Sequence, residues 1–308
     1  HEHVRFRQRG VDAGFGNPNQ NRHLNNTGIV GEYQGIVNSL YVVSAAIRHD
    51  INNDFNNITT FKIGTGVNFA KTDTWLKGGY STGQKNPTFT ERFGFFNEDS
   101  SFRGNPNLKP EKSSGWHISV EQSLFDRLLN TELTWFYESL KNEINGFTRG
   151  DDGLFTALNT NGKSKRKGIE FVSRLNAAKN FGVNLNYTYI DSSEPTGPNG
   201  ERLDEVRRPS HQGSLMVDWN SESLPLRLST FLDYRGTSLD LDFSSFPANR
   251  VKLSSYIIAG MTVKYRINKN TDAFLRFENM FDEHYEEVLG FKTKGKSGFF
   301  GLRISYGK

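Results

Sequence analysis

The constraint that governs this chain is a rhythm of two. Apolar and polar side chains alternate through segment after segment, and that pattern is satisfied by an extended strand with one apolar and one hydrated face. Between 251 and 266, Val251, Leu253, Ile257, Ala259, Met261, Val263 and Tyr265 share one face, and Lys252, Ser254, Thr262, Lys264 and Arg266 the other. Phe181, Val183, Leu185, Tyr187 and Tyr189 alternate with Asn184, Asn186 and Thr188, while Trp116, Ile118 and Val120 oppose His117, Ser119 and Glu121. No segment carries a comparable 3.6-residue period, so helices are not expected to build the fold.

About fourteen such segments follow one another, starting near His3, Thr27, Asn38, Ile58, Asp73, Glu111, Leu129, Phe155, Phe181, Val206, Leu224, Arg250, Thr271 and Lys296. Their connections alternate in length. Tight turns fall at Asn38-Ser39, Thr72-Asp73, Asp126-Arg127, Lys179-Asn180, Ser221-Ser223 and Lys269-Asn270. Long polar loops fall at 10–26, 84–110, 193–205 and 238–249, with shorter ones at 50–57, 148–154 and 282–294 on the same side. Strands of this kind with short turns at one end and long loops at the other predict an all-β, transmembrane, antiparallel up-and-down β-barrel.

Composition agrees with that fold. Only 35% of the residues are hydrophobic, yet there are 25 Phe and 11 Tyr, too many aromatics for a disordered chain. A wall with lipid on one side and water on the other needs only half of each strand to be apolar, so the mean hydropathy of −0.63 is compatible with a membrane. No apolar run of helix-spanning length exists, and His1 to Arg5 lack the apolar core of a signal peptide. Cysteine is absent, which excludes disulfides and thiol chemistry. With 38 basic against 34 acidic residues the chain has no basic stripe, and nucleic acid is not expected as a partner. Tyr80, Trp116, Trp135, Tyr137, Tyr187, Tyr189, Trp219, Tyr234 and Tyr306 fall toward strand ends, as an aromatic girdle would.

Several segments are also familiar as motifs. Gly104-Asn105-Pro106-Asn107-Leu108-Lys109-Pro110-Glu111 resembles the segment that opens a strand in TonB-dependent outer-membrane receptors. Gly79 to Gly94, Gly168-Ile169-Glu170-Phe171, Arg207-Arg208-Pro209-Ser210-His211 and Glu278-Asn279-Met280-Phe281-Asp282-Glu283-His284-Tyr285 resemble further motifs of that family, in the family's order. The resemblance implies a barrel of about 22 strands closed around a plug, of which residues 1–308 would be a single domain, the C-terminal portion, with the plug absent. The alternative is that the fourteen strands close on themselves.

Function follows from the resemblance as an expectation: import of a ferric siderophore or cobalamin, driven by the TonB complex acting through the N-terminal region. Arg48 to Phe55 looks like a segment of cobalamin receptors. Outer-membrane lipid and lipopolysaccharide are expected neighbours, and a monomer the expected state. A passive diffusion channel is the functional alternative, because a polar lumen with long loops suits it too.

Candidate ligand residues lie in the long loops. Arg92, Phe93, Phe95, Phe96, Phe102 and Arg103 form an aromatic and cationic set suited to a flat anionic ligand, unless the rings only pack the loop on itself. Arg207 and Arg208, with Arg202, can meet an anion or salt-bridge to Glu201, Asp204 and Glu205. The run Lys163, Lys165, Arg166 and Lys167 reads as a hydrated face. Asp50, Asp54, Asp151, Asp152, Asp240 and Asp242 have oxygen chemistry for Ca²⁺ but no calcium-loop spacing, so no cofactor is expected. His1-Glu2-His3 has the wrong spacing for a zinc-protease helix, and no enzyme is expected. Asn279 and Asp282 are expected to close turns with their own side chains.

Overall fold

A computed structural model describes residues 1–11, 17–38, 40–95, 102–150, 153–196, 201–245 and 248–306. Alternation becomes one antiparallel wall. Its first five strands are β1 (Glu2–Gln8), β2 (Gln20–Val37), β3 (Tyr41–Asn52), β4 (Ile58–Phe69) and β5 (Thr74–Lys85). After helix α1 (Phe89–Phe93) and the short β6 (Phe102–Arg103), the wall resumes with β7 (Glu111–Leu124) and β8 (Leu129–Lys141). A loop carrying β9 (Ile144–Arg149) and β10 (Phe155–Asn159) leads to β11 (Lys163–Ala178) and β12 (Phe181–Thr196). Then come β13 (Glu201–Asp204), β14 (His211–Asn220), β15 (Leu226–Arg235), the outer pair β16 (Ser238–Asp242) and β17 (Asn249–Leu253), and finally β18 (Tyr256–Asn268), β19 (Thr271–Glu278) and β20 (Ser297–Ile304).

Wall order is β1-β2-β3-β4-β5-β7-β8-β11-β12-β14-β15-β18-β19-β20, with β13 beside β12, and neighbours in this path are sequential up-and-down pairs. No ladder joins β1 to β20 among the described residues, so the sheet is open rather than self-closed. An open edge in hydrocarbon leaves a row of backbone groups unpaired at several kcal/mol each, so both edges need partner strands in a bilayer.

Register settles which face is which. Tyr80, Trp116 and Tyr137 stand in one cross-strand row, and Trp116 stacks on Tyr137 at 6.4 Å between ring centres. Farther round, Tyr187 and Tyr189 meet His211, with the Tyr187 hydroxyl 2.7 Å from its Nδ1. Below them Leu133, Phe171, Leu185, Leu215 and Leu232 continue the outward apolar face. The opposite face is ionic: Lys77 pairs with Glu121, and Lys264 with Asp272 at 2.8 Å.

Four expected strand positions differ, and the strand expected from Thr27 already begins at Gln20, inside the segment 10–26 read as a loop. The segment near Phe155 is not in the wall; it is β10, paired with β9 and β6 in a separate outer sheet, and the wall strand starts at Lys163. Likewise 251–266 is broken at Ser254-Ser255, so Val251 and Leu253 belong to the outer hairpin β16–β17. The strand expected from Val206 starts at His211. Where strands project beyond the wall they still alternate, but they pair with one another, and period alone cannot tell the two destinations apart.

Inward-facing glycines let rings lie flat on the wall. Phe231 covers Gly260, its neighbour in the β15–β18 ladder, and a Cβ there would enter the ring. Gly260→Val should destabilise the wall by about 1–3 kcal/mol through overpacking. Thermal unfolding in detergent checks this, and Phe231→Ala in the same chain should recover only part of the loss, because the Phe277 carbonyl also stands within 2.9 Å of such a Cβ.

Candidate functional site

At the long-loop end, α1 folds over the inner side of β1 and β2. Thr88 and Glu91 close a capping box: the Thr88 Oγ1 accepts from the Glu91 amide at 3.2 Å, and the Glu91 Oε2 accepts from the Thr88 amide at 2.7 Å. Gly94 ends the helix at φ 76°, and its carbonyl accepts from the buried Gln20 Nε2 at 3.2 Å. This fixes a run of rings in which Phe6 stacks on Phe89 at 5.5 Å and Phe89 on Phe93 at 6.4 Å.

Two guanidinium groups sit on Phe93. Arg22, the β2 partner of Phe6, lies 4.2 Å from its ring centre, and Arg92 lies 4.8 Å away. Arg92 also covers Phe55 at 4.7 Å and donates from Nη1 to Asp54 Oδ2 at 2.7 Å, with its side chain only 11% exposed. Asn52 joins this cluster to a cavity of about 350 Å³: its Oδ1 accepts from the amides of Asp54 and Phe55, while Asn26, Arg48, Asp50, Asn52, Gln84 and Asn86 line the space. Polar atoms without a partner gather here. Gln20 Oε1, Arg22 Nε, Asn26 Oδ1, Asn52 Nδ2 and Arg92 Nε are buried and unpaired. Groups left so are costly, and the corner is therefore built to gain hydrogen bonds.

The expected site residues divide. Arg92 and Phe93 are together, as the sequence suggests, but Arg22, Asp54 and Phe55 complete the cluster from other segments. Phe102 is 4% exposed and packs with Leu108 and Ala157 in the core of the β6–β10–β9 sheet, where it holds the loop. Phe95 is exposed and leans on Phe102 at 5.5 Å, Arg103 is an exposed β6 residue paired in register with Thr156, and Phe96 lies outside the described residues.

Arg207 and Arg208 belong to a second group. Arg207 Nε donates to Asp240 Oδ1 at 2.8 Å, and Arg208 pairs with Glu205. Arg202 instead donates to the carbonyls of Lys163 and Ser193, both at 2.7 Å. The fully buried Asp240 joins three loops, because it also accepts from the amides of Leu241 and Leu289 at 2.8 and 2.7 Å. Burial opposes its ionisation, but those two amides and the Arg207 guanidinium outweigh it and hold its carboxyl below the usual range. Arg166 points inward into Glu205, Glu143 and Glu138 at 3.0, 3.3 and 3.4 Å, rather than onto a hydrated face with its lysine neighbours.

Of the aspartates considered for calcium, Asp54 and Asp50 are taken by Arg92 and Arg48, and Asp242 caps the turn at Ser244. Asp151 and Asp152 lie outside the described residues, and no group of three or more metal-ligating side chains forms among those described. Among the motif residues, Asn279, Asp282 and Gly104 are scaffold. Asn279 donates to the carbonyls of Glu283 and Lys294 and accepts from the Glu283 amide, and Asp282 accepts from Lys296 N at 2.9 Å, closing the loop before β20. Gly104 lies against the α1 backbone at Phe93, where no side chain fits.

Compared with known proteins, residues 4–280 match the family described as TonB dependent receptor-like, beta-barrel. Among solved structures, the siderophore receptor PirA from Acinetobacter baumannii is similar at 17% identity and TM-score 0.76, over 96% of this chain and 47% of that one. The ferric-catecholate import receptor Fiu from E. coli K12 is similar at 16% identity and TM-score 0.70, over 92% and 45%. A ferric enterobactin receptor PfeA mutant from Pseudomonas aeruginosa, in complex with enterobactin, is similar at 19% identity and TM-score 0.74, over 94% and 47%. At these identities the likeness is one of fold, and the chain spans about half the length of those structures.

Proposed function

Since the chain belongs to the TonB-dependent receptor β-barrel family, whose members are transporters of the bacterial outer membrane and not enzymes, we propose that the protein imports a ferric siderophore. The observation that carries this reading is the pair Arg22 and Arg92 on Phe93, each with an unpaired Nε. Cation–π faces and guanidinium donors at the mouth suit an anionic, aromatic iron chelate such as a catecholate complex. The siderophore receptors among its structural neighbours support the same class. Cobalamin gains no support: the Arg48 segment that suggested it forms an inner-wall ion pair with Asp50 at 2.7 Å. Entry past a plug, driven by the TonB complex, is part of the proposal, as are Arg103, Arg207, Arg208, Phe95 and Phe96 as further loop contacts.

Arg92→Ala in the whole protein should weaken binding of a ferric catecholate about ten-fold, the worth of one partly desolvated cation–π and ionic contact. Intrinsic fluorescence quenching measures it. Saturable binding of the ferric complex with no binding of cyanocobalamin is the expected pattern. Absence of binding together with rapid sugar flux through liposomes would establish a diffusion channel instead.

A further inference from the structure

Two cations share one ring at the mouth, and the fold neutralises only one of them. Arg22 and Arg92 both lie on Phe93, yet Arg22 has no ion-pair partner among the described residues, while Arg92 donates from Nη1 to Asp54 Oδ2 at 2.7 Å. The other acids of the corner are committed elsewhere. Glu91 caps its own helix through the Thr88 amide, Asp50 takes Arg48 through both oxygens, and the charge of Glu2, opposite Asn26 in the β1–β2 ladder, is felt at Arg48. Asp54 is the carboxylate set against this cationic surface.

Geometry separates the fixed member of the pair from the movable one. The Arg92 guanidinium lies over Phe55 at 4.7 Å and Phe93 at 4.8 Å, and its side chain is 11% exposed. Asp54 stands in the loop after β3 with its side chain 25% exposed. The backbone of that loop is pinned: Asn52 Oδ1 accepts from the amides of Asp54 and Phe55 at 2.8 and 3.1 Å, and the Asn53 amide donates to the Asn25 carbonyl at 3.3 Å. Releasing Arg92 therefore takes only rotation of the Asp54 side chain toward water, away from Arg92 and from the Asn53 Nδ2 at 3.2 Å. Arg92 has no such escape, and a cation at this burial is costly without a partner.

A ligand oxyanion satisfies a guanidinium as a carboxylate does, through a charge-assisted hydrogen bond. We propose that Asp54 is an internal stand-in for the oxyanion of the cargo, an autoinhibitory contact that the cargo must displace to reach Arg92. The inference rests on the siderophore reading of this mouth and adds a selection rule to it. A chelate with several negative charges gains Arg92 together with Arg22 and so offsets the broken Asp54 pair. An uncharged chelate leaves that pair in place and is rejected.

The test uses the full-length protein in neutral detergent, titrated with a ferric tris-catecholate, which is anionic, and a ferric tris-hydroxamate, which is uncharged. Asp54→Asn should bind the tris-catecholate about five-fold more tightly than wild type, because the competing carboxylate is gone and the free protein holds an unpaired cation that the ligand relieves. Its affinity for the tris-hydroxamate should not change, and the gain should shrink at high salt. Asp54→Glu, which restores the charge, should reverse the gain, and Arg92→Ala in the Asp54→Asn background should abolish it. Without ligand, Asp54→Asn should still unfold cooperatively, at a temperature somewhat below wild type. Wild-type binding of the tris-catecholate with equal or weaker binding by Asp54→Asn would make Asp54 a positioning residue for Arg92, overturning the inference and leaving the siderophore reading intact. Equal gains for both chelates would overturn it in the same way. Failure of wild type and Asp54→Asn to bind either chelate would overturn both.

Discussion

Arg166→Met is expected to loosen the outer loops by about 3–5 kcal/mol, the penalty for removing the cation from a largely buried cluster. Glu138, Glu143 and Glu205 converge on that guanidinium from β8, from the loop after it and from the segment between β13 and β14, in that order. Without it Glu205 keeps Arg208 and Glu143 keeps the Ser164 hydroxyl, but three carboxylates are left facing one another. Limited proteolysis of the loops at 142–162 and 201–210 measures the loosening, and Glu143→Gln with Glu205→Gln in the same chain should restore resistance. Proteolysis unchanged at pH 7 would show that the Phe102–Leu108–Ala157 core alone holds these loops.

Asp240→Asn should cost about 2–3 kcal/mol, less than the Arg166 change because Arg207 is half exposed and water takes it back. The amide keeps the shape of the carboxylate but turns one acceptor into a donor facing a backbone N–H or the guanidinium. Sign follows from the direction of the shift. A carboxyl whose folded pKa is depressed adds stability above its ordinary value near 4, and that stability is lost as pH falls through the lowered folded value. The wild-type join between 205–210, the β16–β17 hairpin and 279–296 should thus persist at pH 5 and release only below about pH 4. Hydrogen exchange at the Leu241 and Leu289 amides checks this. In Asp240→Asn the backbone amide that faces the new NH2 should exchange fast, with no acid-dependent step.

Much of the wall was legible because two-residue alternation is local and strictly tied to a face. The tight turns at Asp126-Arg127 and Lys269-Asn270, the start of β7 after Pro110 and the closing role of Asn279 all follow from residues adjacent in sequence. Phe102 shows where that logic stops. Its loop reads as aromatic and cationic, but whether a ring meets ligand or packs inward depends on Leu108 and on Ala157 from another loop.

The mouth cluster was only half visible for the same reason. Arg92 and Phe93 are neighbours on one short helix, whereas Arg22 comes from β2 and Phe55 from the loop after β3. Lysines in register across β7, β8 and β11 are a sharper case. Lys163, Lys165 and Lys167 are a visible run, but Lys112 and Lys141 join it only through register.

The amino-acid sequence by itself determined the strand period, the alternation of turns and loops, and the apolar and polar faces, because each depends on side chains a few residues apart. Tertiary structure alone decided which strands leave the wall for outer sheets, that the sheet is open between β1 and β20, and which distant charges meet at Arg166, Asp240 and Phe93. Such meetings depend on cross-strand register and loop packing, which join residues tens of positions apart and leave no periodic trace in the chain.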